Sequence, residues 1–329
     1  MSRKPNLRPV KWLAIALLSL LAVVGFSYWL GGESPPPARI TKVPKMQRSP
    51  DFRPDVKGWG QRTLEKAIAP LERRAVAYQP PAPEVDGDRL FADVEALSFP
   101  RATEDDRAAA RAYIADSLAA AGWTSAEQAF ENGINMVAER AGTDPEAGTI
   151  LLAAHYDSVG RSPGADDNAT GVATLLEIAR LLGPESTPRT LKLAFFDLEE
   201  LGMLGSFAFV ALEDNIADLH GTIVLDMIGY ACHERGCQQY PPGLPDRNFP
   251  KRGDFLAAIG DSEHRPLLQA IPNASKENLP EVVALPVPLR GIALPDLLRS
   301  DHAPFWLGGM GAVMITDTAN FRSPPYHQA

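Results

Sequence analysis

Cysteine is nearly missing from this chain, at two in 329 residues. Two cysteines build neither a disulfide scaffold nor a cysteine-rich zinc module. Any metal site must therefore draw on histidine, aspartate and glutamate. Histidine is scarce too, at six, so each can be weighed singly. Positive charge is in deficit: 32 lysines and arginines face 41 acidic residues, a net charge of −9. Sequence-independent nucleic-acid binding, which needs a basic face, is thereby excluded as a function. Apolar residues make up 45% and charged residues 22%, a balance that rules out wholesale disorder. The length suits one large domain or two modest ones. Internal repeats are absent, and so are long hydrophobic runs, with one exception.

That exception is Trp12 to Leu30 (WLAIALLSLLAVVGFSYWL). As a helix it would span roughly 28 Å, close to a bilayer core. Arg3, Lys4, Arg8 and Lys11 precede it, so residues 1–11 are expected to stay cytoplasmic and everything beyond Leu30 to be periplasmic or extracellular. Trp12, Tyr28 and Trp29 sit at the ends, where interfacial aromatics belong. A cleaved signal peptide would have a shorter apolar core and an A-x-A-like site, and GFSYWLGGES offers none. The reading is a single-pass anchor over 12–30. Residues 31–85 read as a Pro-rich linker holding a short helix over 61–79 and broken at QPPAPEV. The folded domain, 86–329, is expected to begin near Asp86.

From there helical and strand patterns alternate. Residues 104–121 are Ala-rich with acidic residues first, as a helix prefers. Short β-like runs follow at 124–131, 133–140 and 148–154. A helix starts near Asn168, a plausible N-cap, and places Val172, Leu175, Leu176, Ala179 and Leu182 on one face. Further strands are expected at 191–198, 221–229, 254–259, 281–287 and 311–316, with helices near 205–213, 263–271 and 302–308. Apolar strands separated by amphipathic helices predict an α/β fold, a mostly parallel sheet with helices on both faces. Residues 232–250 and 271–280 read as irregular surface insertions, and the loops 232–250 and 290–300 as sources of a substrate pocket.

Several strand-like runs end in an ionisable group. LLAA leads into His155 and Asp157, LAFFDL into Glu199 and Glu200, TIVL into Asp226, and AVMIT, after a loop, into His327. Asp166 and Asp167 lie just before the helix near 168. In open α/β sheets the ligand crevice lies beyond the carboxyl ends of the strands, so these groups should converge. Two histidines and at least three carboxylates without a thiolate suit one or two zinc ions. Two ions need a bridging ligand, and the two oxygens of an aspartate can each face one. Taken singly, each group has a plainer reading as a structural histidine, a helix cap or solvated surface. The G-x-S-x-G match at 160–164 lacks the strand directly before it and the helix directly after it that a serine nucleophile requires.

The ordered set HYDSVGRSPGADDNATGVA, FFDLEELGMLGS, VLDMIG, SDHAPFWLGGMGAVMITD and a late YH resembles the co-catalytic di-zinc exopeptidases. These include bacterial leucyl-type aminopeptidases, glutamate carboxypeptidases and, more distantly, glutaminyl cyclases. The resemblance covers residues 86–329 and implies two Zn2+ per chain and a peptide substrate. It implies that His155 binds one zinc, oriented by Asp157, with Glu200 completing that shell. Asp226 and His327 would hold the other zinc, and Asp167 would bridge, with Asp166 its non-ligating neighbour. Glu199 would be the general base. Tyr230 and Tyr326 are candidates for stabilising an oxyanion, Asp301 and His302 for support. Cys232 and Cys237 would close a disulfide beside the site, and His220, His233 and His264 read as ordinary surface residues. Such proteins usually continue past the last histidine, so a C-terminal truncation is expected. The implied activity is a membrane-anchored aminopeptidase. A carboxypeptidase-like hydrolase, a glutaminyl cyclase and a non-catalytic binding domain are the alternatives.

Overall fold

The computed structural model describes residues 83–328 apart from 184, 245–248 and 275–279. The expected anchor at 12–30 and the helix at 61–79 lie outside the described residues. Among the described residues no helix is long and apolar enough to cross a membrane.

The first described helix, α1 (Gly87–Ala96), was not anticipated as an element. Asp86 caps it by accepting from the Arg89 N–H. Helix α2 (Glu104–Ala120) opens on three acidic residues and is capped by Thr103, so both its orphan N–H groups and its dipole are satisfied. Both helices pack on α3 (Thr170–Leu182). Charge fixes this contact: Glu177 of α3 is buried and takes Arg89 at 2.6 Å, while Asp93 takes Arg180.

Eight strands form one sheet: β1 (Ser125–Phe130), β2 (Gly133–Arg140), β3 (Thr149–His155), β4 (Thr190–Phe196), β5 (Leu219–Leu225), β6 (Phe255–Asp261), β7 (Glu281–Val287) and β8 (Ala312–Thr316). Their spatial order is β1-β2-β4-β3-β5-β8-β6-β7. The central four, β4-β3-β5-β8, are parallel. The sheet is nevertheless mixed. β1 and β2 are joined by a two-residue hairpin at Glu131 and Asn132 and run antiparallel, as so short a connection requires, and β2 also runs against β4. β6 runs against β8 and carries its parallel neighbour β7 with it.

Helices cover both faces. His155 pairs with Phe196 and Ile150 with Gly221. His155 and Ile150 are an odd number of residues apart, so their partners face opposite sides. Phe196 meets Phe209 of α4 (Leu204–Val210) and Phe305 of α7 (His302–Leu307), with centroids 5.4 and 6.4 Å away. The short α5 (Glu213–Ile216) follows α4. On the other side Leu267 of α6 (Arg265–Ala274) presses on Gly221, where an added Cβ would come within 3.0 Å. Each fully buried Phe or Leu of this core contributes roughly 1.5–3 kcal/mol. The carboxyl-terminal halves of β3, β4 and β5 are apolar and buried, and His155, at the end of β3, is the first ionisable group beyond them. That end of the sheet is where the polar residues gather.

Candidate metal centre

Each candidate group lies at or beyond the carboxyl end of a parallel strand, directly or after a loop. His155 is the last residue of β3. Asp226 directly follows β5, its N–H donating to the Ile315 carbonyl of β8. Glu199 and Glu200 follow β4. Asp167 lies in a tight turn, Ala165–Ala169, before α3, and the Asp167–Asn168 peptide is cis. Asn168 holds that turn. Its Oδ1 accepts from the N–H groups of Gly171 and Met227, and its Nδ2 donates to the Leu225 carbonyl. The expected capping role is thus joined to a second one, a staple between α3 and the end of β5. Gly164 opens the turn with φ +64, and an added Cβ would lie 2.5 Å from Arg101 Nη2. Only glycine suits both demands.

The groups form two clusters that share one residue. His155, Asp167 and Asp226 make the first, and Asp167, Glu200 and His327 the second. In the first, His155 Nε2 lies 3.2 Å from Asp167 Oδ1 and 3.6 Å from Asp226 Oδ1. In the second, His327 Nε2 lies 3.1 Å from Asp167 Oδ2 and 3.2 Å from Glu200 Oε2. Asp167 therefore turns one oxygen to each histidine, as a bridging ligand must. The pairing implied by the resemblance is reversed: Asp226 joins His155, and Glu200 joins His327. Both β4 and β5 flank β3, but Asp226 directly follows β5 and stays beside the end of β3, whereas Glu200 stands past the end of β4 on the following turn.

The residues fit a metal. Both Nε2 atoms are buried without a hydrogen-bond partner, and so is Glu200 Oε1. Orphaned buried polar atoms are costly, and a cation shared within each cluster would satisfy them. The separations match the edge of a zinc tetrahedron, roughly 3.3 Å for ligands about 2.0–2.1 Å from the ion. Nitrogen and carboxylate donors with no thiolate also suit hydrolytic zinc.

Charge balance points the same way. Burial works against a charged His155, but Asp157, Asp167 and Asp226 outweigh it and raise its pKa well above the usual imidazole value. Burial would raise Asp167, but His155 and His327 outweigh it and hold that carboxyl well below the usual range. Burial, with Asp167 adding repulsion, pushes Glu200 up to about 7. The acids thus exceed the local cations, a deficit that divalent ions would fill.

Asp157 stands behind the first cluster. Its Oδ1 is 3.3 Å from His155 Nδ1 and accepts from the Glu199 N–H, and its Oδ2 accepts from the Glu200 N–H. One carboxylate thus orients a candidate ligand and fixes the two adjacent glutamates. Those bonds help hold a backbone in which Leu198 takes φ 57, a left-handed conformation costing of order 1 kcal/mol. Glu199 belongs to neither cluster but lines the same pocket. Loss of water raises its pKa well above the carboxylate norm, with Asp226 and Asp301 adding repulsion and His155 opposing. Asp166 turns away and accepts from Gly229 and Thr170. Asp301 is fully buried and accepts from Ser206 Oγ. His302 contacts the Leu297 carbonyl through Nε2.

Of the two tyrosines, Tyr326 reaches the site, stacked on His327 at 3.7 Å. Tyr230 does not line the pocket; its N–H and carbonyl engage Asp317 and Arg322. His220 and His233 are exposed. His264 is less ordinary than expected, because its Nδ1 lies 2.5 Å from the buried Asp261. Cys232 and Cys237 are disulfide-bonded. The next residue, Gln238, is buried; it donates to Thr318 Oγ1 and accepts from Arg322 Nε.

Beside the clusters opens a pocket with apolar walls from Phe249, Phe255, Val283, Leu285 and Met314. The loops 232–250 and 290–300 contribute to it as expected, through residues such as Tyr240 and Arg299, whereas the walls from β6, β7 and β8 were not foreseen. Arg101 was also missed. It is 1% exposed, and its guanidinium donates to the carbonyls of Tyr156, Leu97, Phe99, Pro163 and Gly164. It ties the strand end after His155 to the turn before Asp167. Nothing in FPRATEDD distinguishes it from a surface arginine.

The profile of peptidase family M28 matches residues 135–329, and the chain belongs to that family. It is 35% identical over 193 residues to the uncharacterized protein YfbL of Escherichia coli, covering 54% of this chain and 58% of YfbL. It is 39% identical over 82 residues to aminopeptidase YwaD of Bacillus subtilis, covering 24% of this chain and 18% of YwaD. The chain spans less than two thirds of the length of these relatives. The crystal structure of the Legionella pneumophila LapA aminopeptidase shares its fold, with TM-score 0.55 at 17% identity over 74% of this chain and 64% of LapA.

Proposed function

We propose that the chain is a zinc exopeptidase that removes residues from the amino end of peptides, with one zinc ion in each cluster. The observation that carries this reading is Asp167, shared by two histidine–carboxylate clusters with the unligated Glu199 beside them. Membership of peptidase family M28 supports it. The apolar run at 12–30 with its basic flank supports a membrane anchor that leaves the catalytic domain on the outer side.

A zinc pair held by these residues supplies Lewis acidity to the scissile carbonyl and to the attacking water. The chain supplies the rest. Glu199, its pKa raised, accepts the proton of the attacking water and passes it to the leaving amine. Asp157 keeps both glutamates and His155 in place. Tyr326, stacked on His327, stands where its hydroxyl can meet a developing negative charge.

The test is zinc per chain on the detergent-solubilised protein, with release of amino acids from aminoacyl-anilides. About two zinc ions and chelator-sensitive release are expected. Glu199→Gln should keep the metal and lose about 10²–10⁴-fold in kcat. Unchanged turnover in that variant would overturn the base assignment. Zinc without release, but with cyclisation of N-terminal glutamine, would make the chain a cyclase.

A further inference from the structure

The pocket beside the clusters is lined mainly by apolar and acidic side chains, with neutral polar ones such as Gln239, Thr318 and Asn320, and Arg299 is the one lysine or arginine among the described residues that line it. Its guanidinium has a defined place. Nη1 donates to Asn320 Oδ1 at 3.1 Å, and Nη2 to the Tyr326 hydroxyl at 3.3 Å. Among the described residues its acidic partner is Asp296, an ion pair at 3.8 Å. Tyr326 in turn stacks on His327. The cation therefore stands one tyrosine ring from the histidine of the second cluster.

This placement has chemical content. A guanidinium has five N–H donors in a planar fork that matches a carboxylate. Two neutral acceptors orient this fork, and its ion pair with Asp296 is long and half-exposed, so a substrate carboxylate can compete for the charge. Three carboxylates of the clusters and Glu199 line the same cavity, so away from the metal positions an anionic peptide group is best placed beside Arg299. Held so close to the reacting centre, the guanidinium can reach a group only a residue or so from the scissile bond.

We propose that Arg299 is a specificity-determining residue that binds a carboxylate of the substrate, which makes very short peptides, dipeptides above all, the favoured substrates. The same chemistry could come from a free C-terminus or from an acidic side chain after the scissile bond. This inference rests on the exopeptidase reading and names the substrate class of that site.

The experiment compares kcat/KM of the zinc-loaded full chain for Leu-Gly, Leu-Gly-amide and Leu-Asp-amide. The leucine suits the apolar walls. A preference of about tenfold or more for Leu-Gly over its amide is expected, the scale of one charge-assisted hydrogen bond. Leu-Asp-amide ranking with Leu-Gly would assign the side chain as an equal source; ranking with the amide would assign the terminus. Arg299→Gln should bring the ratio of Leu-Gly to Leu-Gly-amide close to one, and Arg299→Lys should restore part of it. The ratio is read within each variant, so a general loss of activity cancels. A wild-type ratio near one, or equal losses on both peptides in Arg299→Gln, would overturn the proposal and leave Arg299 a prop for Tyr326. Calorimetry on Glu199→Gln separates the two readings. Peptides that bind with carboxylate preference but are never cleaved by the wild type would refute the hydrolase and keep the subsite.

Discussion

The two clusters share Asp167 but are built from different material. His155 is 1% exposed and ends a strand with neighbours on both sides. Asp226 follows a second central strand and hydrogen-bonds to a third. The first cluster is therefore as rigid as the sheet. His327 has 34% of its side chain exposed and takes φ 57. It belongs to a segment held by turns at Ala319–Phe321 and by the Gln238–Arg322 clamp. One site hangs on the core and the other on a strap. A ligand set that is symmetric in chemistry can thus be unequal in mechanics, and the strap side should release its metal first.

The most severe way to test this is to cut the shared link. Asp167→Asn removes the charge that faces both histidines. Metal should fall below one ion per chain, and kcat/KM by at least about 10³-fold. Metal analysis and anilide turnover on the same preparation would show it. Two ions retained in this variant would mean that the clusters do not depend on a bridge.

The rigid side can be probed through acid stability. His302 in α7 is buried, and burial lowers its pKa from 6.5 to about 4. The unfolded chain, whose histidine titrates near 6.5, then binds more protons than the native state between those values. Stability must rise with pH across that window. Acidification from pH 6.5 to 4 therefore costs about 3 kcal/mol through this residue alone. His302→Gln removes that contribution, so its denaturant midpoint should fall less steeply than that of the wild type. Identical slopes would mean that His302 charges freely and that this flank is wetter than its packing implies.

The contrast between core and strap also explains what the sequence disclosed. The strand-end acids and histidines were legible because apolar runs terminate in them, and the sheet edge follows from periodicity. The antiparallel pairing of β1 with β2 was written in their two-residue connection but not read. Pairing within the clusters was not legible, because it depends on where each acid stands relative to the end of its strand, which the motif spacing does not encode. Arg101 and the Gln238–Arg322 clamp left no trace in spacing or composition, since each works through contacts distant in sequence, whereas α1 was written in the Asp86 cap and the Leu90–Val94 spacing but not read.

The finest test acts on the strap alone. Gln238→Leu keeps the volume but leaves Arg322 Nε and Thr318 without that partner. A buried polar group so orphaned costs about 1–3 kcal/mol, and the cost falls on the segment leading to His327 rather than on the strands. The weaker of two zinc dissociation steps in a chelator titration should shift severalfold, while the tighter step stays in place. The disulfide limits how far the segment can move, because Cys237 precedes Gln238 and anchors the loop from the other side. The shift should therefore grow when the disulfide is reduced in the variant, and by less in the wild type, where the clamp still holds. If both zinc steps move together, the second cluster is as firmly seated in the sheet as the first, and the distinction between core and strap fails.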